Sequence, residues 1–259
     1  MRRLFLLALL ILPITVVAQV RVGRLVIKKK EVFQLQPSDI IVADTLIMMD
    51  SSRIVLNRLK PENFIRTKVA IIGKHCFIDG KGVKGSNGKS GLPGKTPLGP
   101  CRDGSPGRNG GRGLDGTQGV NLFLYIDEVI VNGSLVVDLS GGNGGDGGNG
   151  GEGGGGSPGT LHCNGGNGGV GGNAGGGGNG GNGGTLTIGG LDAELIRSMM
   201  GMKIIVNTLG GNNGFGGFHG YGGSAGLGPS KMDGKPGDDG KDGERGRAGN
   251  NGNIQYEQQ

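Results

Sequence analysis

Apolar residues fall in short, β-branched runs separated by polar breaks. RLVIKKKEVFQL, DIIVADTLIMM, RIVLNRL, KVAIIGKHCFIDG, NLFLYIDEVIVNGSLVVDL, GTLTIGG and KIIVNTL alternate in part and are bounded by Asp, Asn, Ser or Gly. That pattern predicts strands. One stretch, LDAELIRSMMGMK, has a helical phase. Leu191, Leu195 and Met199 share a face there, and Gly201 ends it.

Between the strand runs the texture changes to glycine at every third position, in three blocks over 82–119, 141–184 and 210–252. Each block is two periodic runs around one irregular break, at 95–103, 157–164 and 229–233, and most prolines lie in or beside a break. The blocks therefore predict three long hairpins that leave a β-rich base, turn and return. The division is a leading segment over 1–18, base segments over 19–81, 120–140 and 185–209, the three hairpins, and a tail with a last strand over 253–259.

A period of three matches the polyproline-II helix, which has no internal hydrogen bonds. Its backbone groups must find partners in neighbouring helices, and glycine edges permit that approach. A Gly-X-Y arm has one bare edge and a Gly-Gly-X arm has two. The middle hairpin is Gly-Gly-X almost throughout and carries only Asp146 and Glu152 as charges. It is expected to be the buried layer, with the other two outside. The predicted fold class is thus mainly β with polyproline II: a β-solenoid base, with a β-sandwich as the alternative, from which the hairpins pack as a bundle.

Composition bears on this reading. Glycine is 64 of 259 residues and proline only 10, too little proline for a collagen triple helix. Disordered tethers are the competing expectation, because glycine loses the most backbone freedom on ordering. The N-terminus MRRLFLLALLILPITVVAQV has two arginines, an apolar stretch and small residues before Gln19. Those are the three parts of a secretory signal, so an exported protein with no membrane anchor after cleavage is expected. Residues 19–120 carry 18 basic and 8 acidic side chains, whereas 121–184 carry none and 5. A basic portion of that kind suits acidic glycans or an anionic surface.

Three cysteines remain. Cys76 lies in a strand pattern and is expected to behave as a buried apolar residue. Cys101 and Cys163 each lie near the middle of a hairpin, which predicts a disulfide joining the two tips, roughly 56–68 Å out at the polyproline rise.

Chemical motifs are sparse. GKGVKG (80–85) fits G-x-G-x-x-G, but a triplet run follows instead of a helix. His75, His162 and His219 share no ligand spacing, and the GGNGGDGGN run lacks the apolar residue of a calcium nonapeptide. No metal or other cofactor is expected, calcium being open but not indicated, and no catalytic residue is assigned. Asp44, Asp50, Asp79, Asp127 and Glu128 are the acids from which an enzyme would draw a carboxylate pair. They are read as strand-end acids, which are ordinarily solvated. Phe215, Phe218 and Tyr221 lie three apart with Leu227 in the same phase. They form one ridge, either a binding stripe or a cover for the glycine layer, the cover being the simpler reading. Lys95, Arg102 and Lys231 are candidate tip contacts.

GSNGKSGLPG and GKPGDDGKDGERGRAG resemble the repeats of secreted bacterial collagen-like proteins, and NGSLVVDLSGGNGGDGG is similar to glycine-rich exported repeat proteins. The double-glycine blocks also resemble those of phage tail-fibre tip adhesins and springtail antifreeze proteins, which fold as polyproline-II bundles. VAIIGKHCFIDGKG resembles the rungs of carbohydrate-acting β-helices. The resemblance implies a secreted, non-enzymatic structural or adhesive role, with surface glycans or matrix components as partners. It transfers no binding residue. No nucleic-acid partner is expected, and the oligomeric state is left open. The alternatives are a carbohydrate-active β-helix protein and an ice-binding polyproline-II bundle.

Overall fold

A computed structural model describes residues 20–257. The expected signal, 1–18, lies outside the described residues. The chain is mainly β, with two parallel sheets. One sheet holds β1 (Val20–Ile27), β3 (Ile40–Met48), β5 (Glu62–Ile72), β7 (Asn121–Val131), β9 (Leu186–Gly189) and β11 (Ile254–Tyr256). The other holds β2 (Val32–Gln34), β4 (Arg53–Val55), β6 (Cys76–Asp79), β8 (Leu135–Asp138) and β10 (Ile204–Asn207). Successive strands alternate between the sheets, and each pairs in parallel with the strand two before it.

The alternation read from sequence sets the core between the sheets. Ile41, Leu46, Ile65, Ile72, Leu122 and Leu124 of the first sheet meet Ile54, Ile78, Leu135 and Val137 of the second, all buried. Cys76 is buried and unpaired, with the Ser52 hydroxyl donating toward its Sγ at 3.7 Å. The helix α1 (Ala193–Met199) follows β9, but its buried residue is Ile196. Leu191 and Leu195, which share a face by their spacing, are exposed. Seven residues make barely two turns, so the packing of the helix on β7 decides its inner face.

The return from the second sheet to the first is short in the first two circuits, over 35–39 and 56–61. In the next three it is 80–120, 139–185 and 208–253. All three glycine hairpins are therefore expansions of one corner in consecutive circuits. Each outgoing arm prolongs a strand of the second sheet. The ladder from β6 to β8 passes through Gly80 N–H to Asp138 O and continues as Gly82 to Ser140, Gly85 to Asn143 and Gly88 to Asp146, at 2.7–2.8 Å. Each return arm leads into the first sheet: Gly116 to Asn179, Gly119 to Asn182, then Leu122 to Thr185, at 2.8–2.9 Å.

The hairpins thus form two layers of three arms, one layer continuing each sheet. Sheets packed through side chains stand about 10 Å apart. Here the side chains stop and the layers bond directly: Gly142 N–H to Thr117 O, Gly145 to Leu114, Gly178 to Gly145 and Gly181 to Gly142, all 2.8–2.9 Å. The change-over falls at Gly80, where a Cβ would lie 2.6–2.9 Å from the side chains of Val120, Leu139 and Leu56.

Hairpin two is the middle arm of both layers rather than a layer by itself. Its two glycines per triplet have separate duties. In its outgoing arm Gly144, Gly147 and Gly150 donate sideways to hairpin three, while Gly145, Gly148 and Gly151 donate across to hairpin one, at 2.8–2.9 Å. In every second triplet of the return arm the third N–H is met by a side chain. Asn167, Asn173 and Asn179 donate theirs to Asp103, Asn109 and Asp115 at 2.6–2.9 Å. The Oδ1 atoms of those same asparagines accept from the backbone N–H groups of Lys235, Lys241 and Arg247 at 2.8–2.9 Å. These rows run across all three return arms, and every backbone donor in such a triplet is satisfied.

Candidate functional site

The aromatic ridge lies on the outgoing arm of hairpin three and is fixed at its backbone. The carbonyls of Phe215, Phe218 and Tyr221 accept from Gly147, Gly150 and Gly153 at 2.8 Å each. The Phe215 and Phe218 N–H groups donate to Asp146 Oδ1 and Asn149 Oδ1 at 2.8 and 3.0 Å. The side chains then have only one way to point. Phe215 is 56% exposed, Phe218 74%, Tyr221 64% and Leu227 74%. The row therefore presents an open apolar surface to solvent. Arg245 lies over the Phe215 ring at 4.7 Å, and the His219 ring meets Tyr221 edge-on at 5.2 Å.

The tips close the far end. Cys101 and Cys163 form the expected disulfide, with Cα atoms 6.0 Å apart. Cys101 N–H donates to Pro158 O and the Ser157 hydroxyl to Pro97 O, both at 2.8 Å. Gly165 N–H donates to Met232 O at 2.7 Å and brings the third tip alongside. Lys95, Arg102 and Lys231 are exposed there, so the ridge and the basic tip residues lie on one bonded unit.

Two carboxylates that tie arms together are held below their ordinary range. For Asp242 the main cause is the His219 backbone N–H, then the His219 ring; for Asp115 it is the Asn179 backbone N–H, followed with smaller effect by Arg112. A depressed carboxyl contributes above its ordinary pKa and loses that contribution as pH falls through the lowered value. Amide protection at His219 and Asn179, corrected for intrinsic rate, should therefore drop once pH falls below about 3.9, the ordinary Asp value. Protection that stays constant down to pH 2 would show that the carboxylates carry no such bond.

Of the acids named as an enzyme alternative, Asp44 and Asp127 line one groove on the outer face of the first sheet, and Asp50 and Asp79 are engaged elsewhere. Asp50 accepts from Lys74 N–H at 2.9 Å, and Asp79 pairs with Arg53 and Arg58 at 3.2 and 3.0 Å. Asp44 pairs with Lys68 at 2.8 Å. Asp44, Asp127 and Glu128 lie inside β3 and β7 rather than at strand ends, because their strands run on past a shift in the alternation. Among the described residues no group of three His, Cys, Asp or Glu side chains is placed to hold a metal ion, and no helix is long and apolar enough to cross a membrane.

The asparagine and aspartate rows escaped the sequence reading. Their signal was present, in the Asn or Asp that recurs as the third residue of the glycine triplets. Comparison with known proteins finds no matching family model, no matching curated protein and no matching solved structure.

Proposed function

We propose that this chain is a secreted, non-enzymatic adhesive scaffold, in which a parallel β-solenoid carries six polyproline-II arms. Parallel pairing in both sheets, with strands alternating between them, favours a solenoid over a sandwich. Bonding at every third residue favours polyproline-II arms over tethers. The signal-like N-terminus and the tip disulfide support export to an oxidising compartment. The observation that carries the adhesive reading is the ridge of Phe215, Phe218, Tyr221 and Leu227, open to solvent on a backbone pinned from hairpin two. Exposed apolar rows of this kind mark contact surfaces. Surface glycans or matrix components are the partner class, with Lys95, Arg102 and Lys231 adding positive charge at the tips. No cofactor is part of the reading.

The test is retention of the labelled, secreted protein on insoluble peptidoglycan, chitin and collagen-coated surfaces. The variant Phe215→Ala/Phe218→Ala/Tyr221→Ala should melt like the parent, since these side chains are exposed. Its retention should fall roughly tenfold or more, the scale of one lost aromatic anchor. Equal retention of parent and variant, or none by the parent on any surface, would end the adhesive reading.

A further inference from the structure

The three long strands of the first sheet share an irregularity. The ladder skips Gly23 opposite Asp44, Asp44 opposite Lys68, and Lys68 opposite Asp127. On each of β3, β5 and β7 two successive residues face away from the core at this point: Asp44–Thr45, Lys68–Val69 and Asp127–Glu128. The skipped pairs align in one row across the sheet, one residue against one, and a groove of about 300 Å³ lies over that row on the outer surface. Arg21, Asp44, Arg66, Lys68 and Asp127 line it.

The charges are not equivalent. Lys68 is neutralised by Asp44 at 2.8 Å. Arg21 and Arg66 flank Val42, one strand to either side. Their positive charge reaches Asp44 and Tyr125 respectively. Neither makes an ion pair among the described residues. Two guanidinium groups, roughly 10 Å apart at the backbone across one intervening strand, thus face a groove that also presents two carboxylates.

We infer that this groove binds an acidic sugar, a saccharide carrying one carboxylate and several hydroxyl groups. The arginine forks suit a carboxylate. Asp44 and Asp127 supply acceptors for hydroxyl donors, and they would repel a charge-dense polyphosphate. The volume sits at the lower end of small-ligand sites and admits one or two sugar units. The site stands on the first sheet, apart from the ridge, and does not depend on the adhesive reading.

Calorimetric titration of the secreted protein tests it with trigalacturonate, a hyaluronate tetrasaccharide and sialyllactose as acidic probes. Maltotriose and inorganic sulfate are the controls. At least one acidic probe should bind, with maltotriose weaker by tenfold or more. Arg21→Gln and Arg66→Gln, both at exposed positions, should each weaken that probe roughly tenfold, the loss of one charge-assisted bond. Lys95→Gln/Arg102→Gln at the tip, and the triple ridge variant, should leave it unchanged. The inference is overturned if no acidic probe binds, if maltotriose binds equally, if sulfate matches the sugar, or if the arginine variants bind like the parent.

Discussion

Gly178→Ala should lower the melting temperature by roughly 6–12 °C, whereas Gly176→Ala two residues away should leave it unchanged or raise it slightly. Both positions lie in the return arm of hairpin two. A Cβ on Gly178 would stand 2.0 Å from Leu114 O and 2.5 Å from Leu114 C, both backbone atoms of hairpin one. No rotamer relieves that contact, so the arms must separate. Separation breaks the bonds that meet there: Gly178 N–H to Gly145 O at 2.8 Å, Gly145 N–H to Leu114 O at 2.9 Å and Gly214 N–H to Gly178 O at 2.9 Å. Three bonds at about 1 kcal/mol each give about 3 kcal/mol, and 1 kcal/mol shifts a chain of this size by about 2–4 °C. At Gly176 the nearest atom to a new Cβ is Glu244 O at 3.4 Å. The smaller entropy of the unfolded chain should then stabilise by about 0.4–1 kcal/mol. Thermal circular dichroism of both variants decides the matter. Equal effects at the two positions would mean that close backbone contact is not what holds the arms.

That pair also marks how far the sequence could be read. Gly176 falls in the X phase of Val170, Asn173 and Asn179, so its freedom is legible; for the two edge glycines of one triplet, such as Gly177 and Gly178, periodicity says only that hairpin two has bare edges on two sides. It does not say which glycine faces which arm, because the register is set where the arms leave β6, β8 and β10. The sheets themselves pair strands from different circuits, up to a whole hairpin apart in sequence. Nothing local in NLFLYIDEVIV says that it lies between ENFIRTKVAII and LTIG. The row of skipped pairs is similarly hidden. In ADT, TKV and IDE the shift of alternation looks like noise in each strand, and becomes a feature only when Asp44, Lys68 and Asp127 are aligned. The ridge was legible as a set of residues three apart. Its exposure was not, since it depends on Asp146 and Asn149 fixing the backbone from the neighbouring hairpin. The tip disulfide was the most legible tertiary contact, because two symmetric hairpins leaving one corner put their midpoints at the same distance from the base.

Removing that disulfide by Cys101→Ser/Cys163→Ser should be the other large effect, and it should be polar along the arms. The two cysteines are 62 residues apart. In the chain-entropy account a cross-link over such a loop contributes about 4 kcal/mol through the unfolded state, or roughly 8–16 °C in melting temperature. The double variant is the cleaner form of the test, since reduction also leaves free thiols at the tip, while Cys76 stays buried in either case. At the base the arms are continuous with the sheets, so Gly142 and Gly181 are held by the core between the two sheets as well as by their own bonds. At the tip only a few bonds lie beyond the Ser157 to Arg102 and Gly166 to Ser157 rungs, among them Cys101 to Pro158, Gly159 to Leu227 and Gly165 to Met232, so without the cross-link fraying starts there. Amide exchange resolved along hairpin two should therefore quicken most from 154 to 166 and least beside 142 and 181. A uniform rise along both arms would show instead that the glycine layers open as one cooperative unit, and the account of arms anchored at one end and stapled at the other would fall.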